Sequence, residues 1–230
     1  MNTHVTLPNL NNHISVNYDQ SEKFNEFEDH NLVIEDQLKV IFIGNSITLH
    51  APAPDIGWVG NHGMAATHKK YDYCNTLLLQ LNIKPENAFI GNFAEMERRS
   101  IIDTEILEKI DSLLKRKPLL IVIQLGDNVG NNDQLTSFIE NLYQVALMAK
   151  KNCHNILMLS TWWESHEKDR VIKHICDLLN LKFIYIGDLF SSECNTDRKV
   201  KEFTHTGVDN HPRNWAMEQI ANRILTSINI

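Results

Sequence analysis

No run of apolar residues in these 230 positions approaches the ~20 that a membrane span requires. The opening stretch MNTHVTLPNLNNHISVNYDQ has neither the basic start nor the apolar segment of a secretory leader, so the sequence as given predicts a cytoplasmic protein. Positive charge is scarce too: Lys and Arg total 22 against 29 Asp and Glu, a net charge of −7. The longest basic cluster, Lys115-Arg116-Lys117, closes a predicted helix, where cations suit the dipole. Without a basic face the chain is not built to bind nucleic acid. The four cysteines, Cys74, Cys153, Cys176 and Cys194, form no C-x-x-C pair and sit mostly in apolar segments, which predicts buried thiols rather than disulfides or a zinc site. The eleven histidines show no H-E-x-x-H pattern or paired spacing, so no metal is expected. Neither G-x-G-x-x-G nor G-x-x-x-x-G-K-[ST] occurs, which argues against a nucleotide cofactor.

What is present fits one substantial core: 43% of the residues are hydrophobic and 22% charged. Residues 1–36 are polar with only short apolar pieces and predict an arm or short hairpin packed on a main domain over 37–230. From Leu38 onward, apolar runs alternate with helical periodicity. KVIFIG, NAFIGNF, LLIVIQLG, NILMLSTWW and KFIYIGDLF predict strands. Between and after them, YDYCNTLLLQLN and the segments 101–114, 133–150, 168–179 and 213–228 predict helices, Pro118 closing the second. Near-continuous apolar strands separated by helices imply a parallel sheet covered on both faces, hence an α/β fold: a three-layer α/β/α sandwich on five parallel strands, flavodoxin-like in topology.

In such sheets ligands bind beyond the carboxyl ends of the strands. Small and polar residues gather there: Gly44-Asn45-Ser46, Gly91-Asn92, Gly126-Asp127-Asn128, and HTGVDNHPRNWAM ahead of the last helix. A serine at a strand-to-helix turn is commonly only an N-cap. Nucleophilic catalysis asks for more: a hydroxyl, a base within reach, and donors aimed at the developing oxyanion. His211, fixed by Pro212 before a helix, is the candidate base for Ser46. The candidate donors are the Ser46 and Gly91 amides and the Asn128 side chain.

This set resembles the SGNH, or GDSL-type, hydrolases. GNSIT is similar to the family's first block with Ser46 as nucleophile, Gly91 in IGNF to the second-block glycine, Asn128 in LGDN to the third-block asparagine, and His211 in DNHP to the fifth-block histidine. The GWVGNHGMAAT loop resembles a bacterial subgroup. Two departures stand out: Val129 replaces the aspartate of G-x-N-D, and Val208 stands where the family's acid precedes the histidine by three. Asp209 is therefore a candidate third member, the alternative being a Ser46–His211 dyad oriented by a backbone carbonyl.

The resemblance implies hydrolysis of short acyl esters, acetyl on a carbohydrate first, through an acyl-enzyme on Ser46 and without a cofactor. An O-acyltransferase using the same site and a catalytically inactive ligand-binding module are the alternatives. The expected partner is a small-molecule or saccharide ester. Trp58, in the loop after the serine, Asn45 and Trp162 are candidate substrate contacts, although one of Trp162 and Trp163 is expected in the core.

Overall fold

The structure, a computed structural model, describes residues 27–28, 38–195 and 201–228. The strands are β1 (Phe27–Glu28), β2 (Val40–Gly44), β3 (Ala88–Asn92), β4 (Leu120–Gln124), β5 (Ile156–Leu159) and β6 (Lys182–Ile184). They form one sheet in the order β1-β3-β2-β4-β5-β6. The five strands from β2 onward run parallel, as the pattern predicts, and β1 adds an antiparallel edge to β3. Of the predicted N-terminal arm, only β1 lies within the described residues.

Alternate residues of each strand enter different cores, which is how a parallel sheet buries both faces. Ile41, Ile43, Ile121, Ile123, Ile156 and Met158 pack on one side against α3 (Thr104–Leu114), α4 (Asn132–Asn152) and α5 (His166–Leu179). Val40, Phe42, Leu120, Val122, Leu157 and Leu159 pack on the other against α1 (Tyr73–Gln80) and α8 (Asn214–Ser227). The result is the expected three-layer sandwich. Helix starts follow the capping chemistry: the side chains of Asp72, Asp103 and Asn131 accept from the amides of Asn75, Ile106 and Gln134. Among the described residues no helix is long and apolar enough to cross a membrane. Cys74, Cys153 and Cys176 are buried free thiols, but Cys194, in the polar stretch SSECNT, is exposed, contrary to the expectation of buried thiols.

The last two strands are shorter than their apolar runs. After Leu159 the chain turns because Thr161 N–H donates to Asp169 and the amides of Trp162 and Trp163 donate to Asp127, which draws NILMLSTWW out of the ladder. After Ile184, Ile186 N–H donates to Ser160 Oγ and the chain enters the one-turn helix α6 (Asp188–Ser191). Two more one-turn helices escaped the periodicity, α2 (Glu95–Arg98) and α7 (Thr206–Asp209), and both carry residues of the site.

Candidate active site

The loop after β2 is shaped by side chains folding back on their own backbone. Asn45 Oδ1 accepts from Ile47 N–H, and Asn45 O accepts from the amides of Thr48 and Leu49, so Ser46 sits at the apex of a tight turn. This replaces the helix N-terminus predicted to follow the serine: the next α-helix is α1, at Tyr73. Gly44 is required sterically, because a Cβ there would lie 1.8 Å from Thr48 Oγ1. Thr48 is in turn tied to Tyr73 OH at 2.6 Å. Ser46 N–H has no protein acceptor among the described residues.

His211 arrives from the other end of the chain, two residues beyond the end of α7. Ser46 Oγ and His211 Nε2, 165 positions apart, are separated by 2.8 Å. His211 Nδ1 lies 2.6 Å from Gly207 O. In a regular helix that carbonyl would accept from the amide four residues on. Here His211 N–H turns to Val208 O, which leaves Gly207 O for the ring. A carbonyl only accepts, so Nδ1 carries the hydrogen and Nε2 is the acceptor facing Ser46 O–H. The edge of the Trp163–His211 pair, with centroids 5.0 Å apart at 87°, fixes the ring plane. Burial, with smaller contributions from His50 and His205, lowers the His211 pKa from 6.5 to about 4 against the opposing pull of Gly207 O.

Two consequences can be measured. The acid limb of kcat/KM is expected near pH 4 rather than near 6.5. Since unfolded His211 takes up its proton at the ordinary value, its contribution to stability is complete above 6.5 and is lost as pH falls to about 4, which thermal melts of wild type and His211→Ala would show.

Asp209 is not the orienting acid. Its Oδ1 accepts from the amides of Glu202 and Phe203, each at 2.9 Å, and from Arg213 Nη2. Burial pulls its pKa upward, but those amides and the guanidinium hold it below the ordinary carboxylate value. At the end of α7, two positions before His211, it bonds to Arg213, the residue ahead of α8, rather than to the ring. Asp209→Asn is expected to keep kcat within roughly an order of magnitude of wild type, against the about 10⁴-fold loss that follows when a true triad acid is made an amide. Steady-state kinetics on the purified variant decide between these values.

The other predicted contacts also move. Gly91 is paired with Ile43 inside the sheet, so its amide belongs to the ladder. Its lack of a side chain answers to packing, since a Cβ would stand 2.5 Å from Phe93 and 2.6 Å from Phe89. Asn128 Nδ2 donates to Glu97 Oε2 and its Oδ1 faces Arg98 at 3.4 Å, so the amide is engaged away from an oxyanion. Asn45 is fully buried. Trp58 packs with Met64 and Val208 and donates to His50 O, and Trp162 donates to Asn210 O beneath Phe190. These three are interior residues, not substrate contacts. Trp163 is the partly exposed tryptophan at the site.

Glu97 and Asp127 were missed. Glu97 is fully buried, and Oε1 accepts from Gly126 N–H and from Asn45 Nδ2 at 3.1 Å. Asp127 Oδ2 accepts from the same Asn45 nitrogen at 3.2 Å and from Gln124 Nε2 at 2.6 Å, while its Oδ1 takes the two tryptophan amides. Burial and then the neighbouring Asp127 charge raise Glu97 to about 7, and burial raises Asp127 as well.

No protein-family model matches the chain, and no curated protein matches it in sequence. Solved structures match its fold. One, from Bacteroides ovatus ATCC 8483 and provisionally described as a GDSL-like lipase, is 17% identical, with 82% of this chain and 97% of that chain aligned at a TM-score of 0.53. A second, from Bacteroides uniformis ATCC 8492 and described in the same way, is 16% identical over 86% and 99% of the two chains at a TM-score of 0.56. At these identities the likeness is one of fold.

Proposed function

We propose that this chain is a serine ester hydrolase of the SGNH type that acts through an acyl-enzyme on Ser46. The observation that carries the reading is the ordered relay from Ser46 Oγ to His211 Nε2, with Nδ1 held by Gly207 O. Ser46 Oγ bonds to the acyl carbon as its proton passes to Nε2, and the carbonyl π electrons move to oxygen. The Ser46 amide, which has no protein acceptor among the described residues, donates to that oxyanion. Collapse of the intermediate expels the alcohol, which takes the proton from Nε2. Water then enters by the reverse sequence, giving up a proton to Nε2, and the acid leaves as Oγ regains it. Nδ1 keeps its hydrogen, donated to Gly207 O, throughout, and the tautomer stays correct.

Short acyl groups are favoured because Ser46 is only 7% exposed. An acetyl ester of a carbohydrate is the leading substrate, with Trp163 offering a flat face beside the base. If an alcohol replaces water at the second step, the same residues perform O-acyl transfer. A second reading, a binding module without turnover, draws support from the engagement of Gly91 and Asn128 elsewhere, since it leaves the Ser46 amide as the one assigned oxyanion donor. Assaying acetylated sugars and aryl acetates against longer acyl esters tests the proposal: acetate release dependent on Ser46 supports the hydrolase, and absence of release from every ester supports the binding module.

A further inference from the structure

Beneath the Ser46 turn lies a polar knot with an excess of acid. Glu97 enters from α2 after β3, Asn45 from the turn after β2, Gly126, Asp127 and Asn128 from the loop after β4, and Trp162 and Trp163 through their amides from the loop after β5. Four sheet-edge loops thus meet at two buried carboxyl groups, bridged by the single nitrogen of Asn45. The chain continues directly from Asn45 to Ser46, and from the Asp127-bound tryptophan amides to the Trp163 ring against His211.

Among the described residues no cation compensates the pair. Arg98 reaches Glu97 only through Asn128, Glu95 is tied to Arg98 and Arg99, Asp169 to Thr161, and His211 to Ser46 and Gly207. Two buried anions bridged by one amide cannot both ionise cheaply. Asp127 receives four N–H donors and Glu97 three, which makes Asp127 the anion and Glu97 the acid.

We infer that Glu97 and Asp127 are positioning residues which share one proton, and that this singly protonated pair holds the Ser46 turn and the Trp163 wall of His211 in register. The catalytic part of the inference rests on the hydrolase reading above. The carboxyl pair does not. When that shared proton leaves, the like charges push the loops apart and the relay loses its alignment.

The test uses the whole chain as wild type, Glu97→Gln and Glu97→Ala. Melting temperature is measured from about pH 5 to about pH 8, without substrate. Glu97 is protonated in the folded state and ionised in the unfolded state between 4.5 and about 7, so wild type should lose stability over that span relative to Glu97→Gln, by at least about 3 °C. Where activity is measurable, wild-type kcat should fall about tenfold per pH unit above about pH 7. Glu97→Ala should lose about 10²-fold in kcat, and the neutral isostere Glu97→Gln should recover most of that with the alkaline limb gone. Parallel melting curves for wild type and Glu97→Gln overturn the inference, active enzyme or not. Diverging curves with no turnover in any variant sustain the carboxyl pair and overturn the hydrolase reading instead.

Discussion

Replacing Ser46 by alanine is expected to lower kcat for ester hydrolysis by about 10⁶-fold, the loss seen when a serine nucleophile is removed from a hydrolase that forms an acyl-enzyme. The fold should tolerate the change. Ser46 contributes its backbone to the loop through a carbonyl that accepts from Met64 N–H, while among the described residues its hydroxyl bonds only to the His211 ring. The melting temperature of Ser46→Ala should therefore stay close to wild type as activity disappears, and circular dichroism melts beside single-turnover acetate release would separate the two. A drop in both together would mean that the hydroxyl holds the loop rather than reacts.

His211→Ala is expected to cost nearly as much, and the double variant with Ser46→Ala no more than either alone, because nucleophile and base act as one unit. The His211 pKa shapes this expectation. A carboxylate partner would stabilise the imidazolium formed as Ser46 is deprotonated; Gly207 O supplies the tautomer but only a partial charge. With a conjugate acid near pH 4, the imidazole is a weak base that stays neutral far into acid. The arrangement trades driving force for proton transfer against tolerance of low pH. Kinetics of both single variants and the double variant, taken between about pH 4 and about pH 8, would show whether the losses overlap.

The five parallel strands were legible because each is a dense run of β-branched and aliphatic residues buried on both faces. The helix starts were legible to within a few residues because Asp72, Asp103 and Asn131 precede apolar periodicity. Ser46 and His211 could be paired from the sheet-edge rule and the family resemblance. Their partners could not, because one-turn helices leave no periodicity to read. On α7, a difference of one residue in spacing decides whether an acid meets the ring or meets Arg213, and Asp209 meets Arg213. Trp58 and Trp162 show how a Gly/Pro-rich loop or a strand end can be packed inside rather than opened to a ligand, which composition does not reveal.

Glu97 did leave a trace. Glu95 has Arg98 and Arg99 one turn away and is paired with them, whereas the residue four before Glu97 is the buried Phe93. An acid one helical turn from an apolar residue and without a cation at that spacing turns to the core and needs partners there. Asp127 was hidden as the variable residue of a three-residue motif whose ends drew the attention.

Covalent capture decides whether Ser46 is a nucleophile activated by His211. Wild type, Ser46→Ala and His211→Ala are treated with a fluorophosphonate ester at neutral pH, and the adduct is mapped by peptide mass spectrometry. One phosphonyl group per chain is expected, on Ser46, absent from Ser46→Ala and formed at least about 10²-fold more slowly in His211→Ala. Folded wild type that stays unlabelled, or Ser46→Ala that labels as fast as wild type, would contradict it.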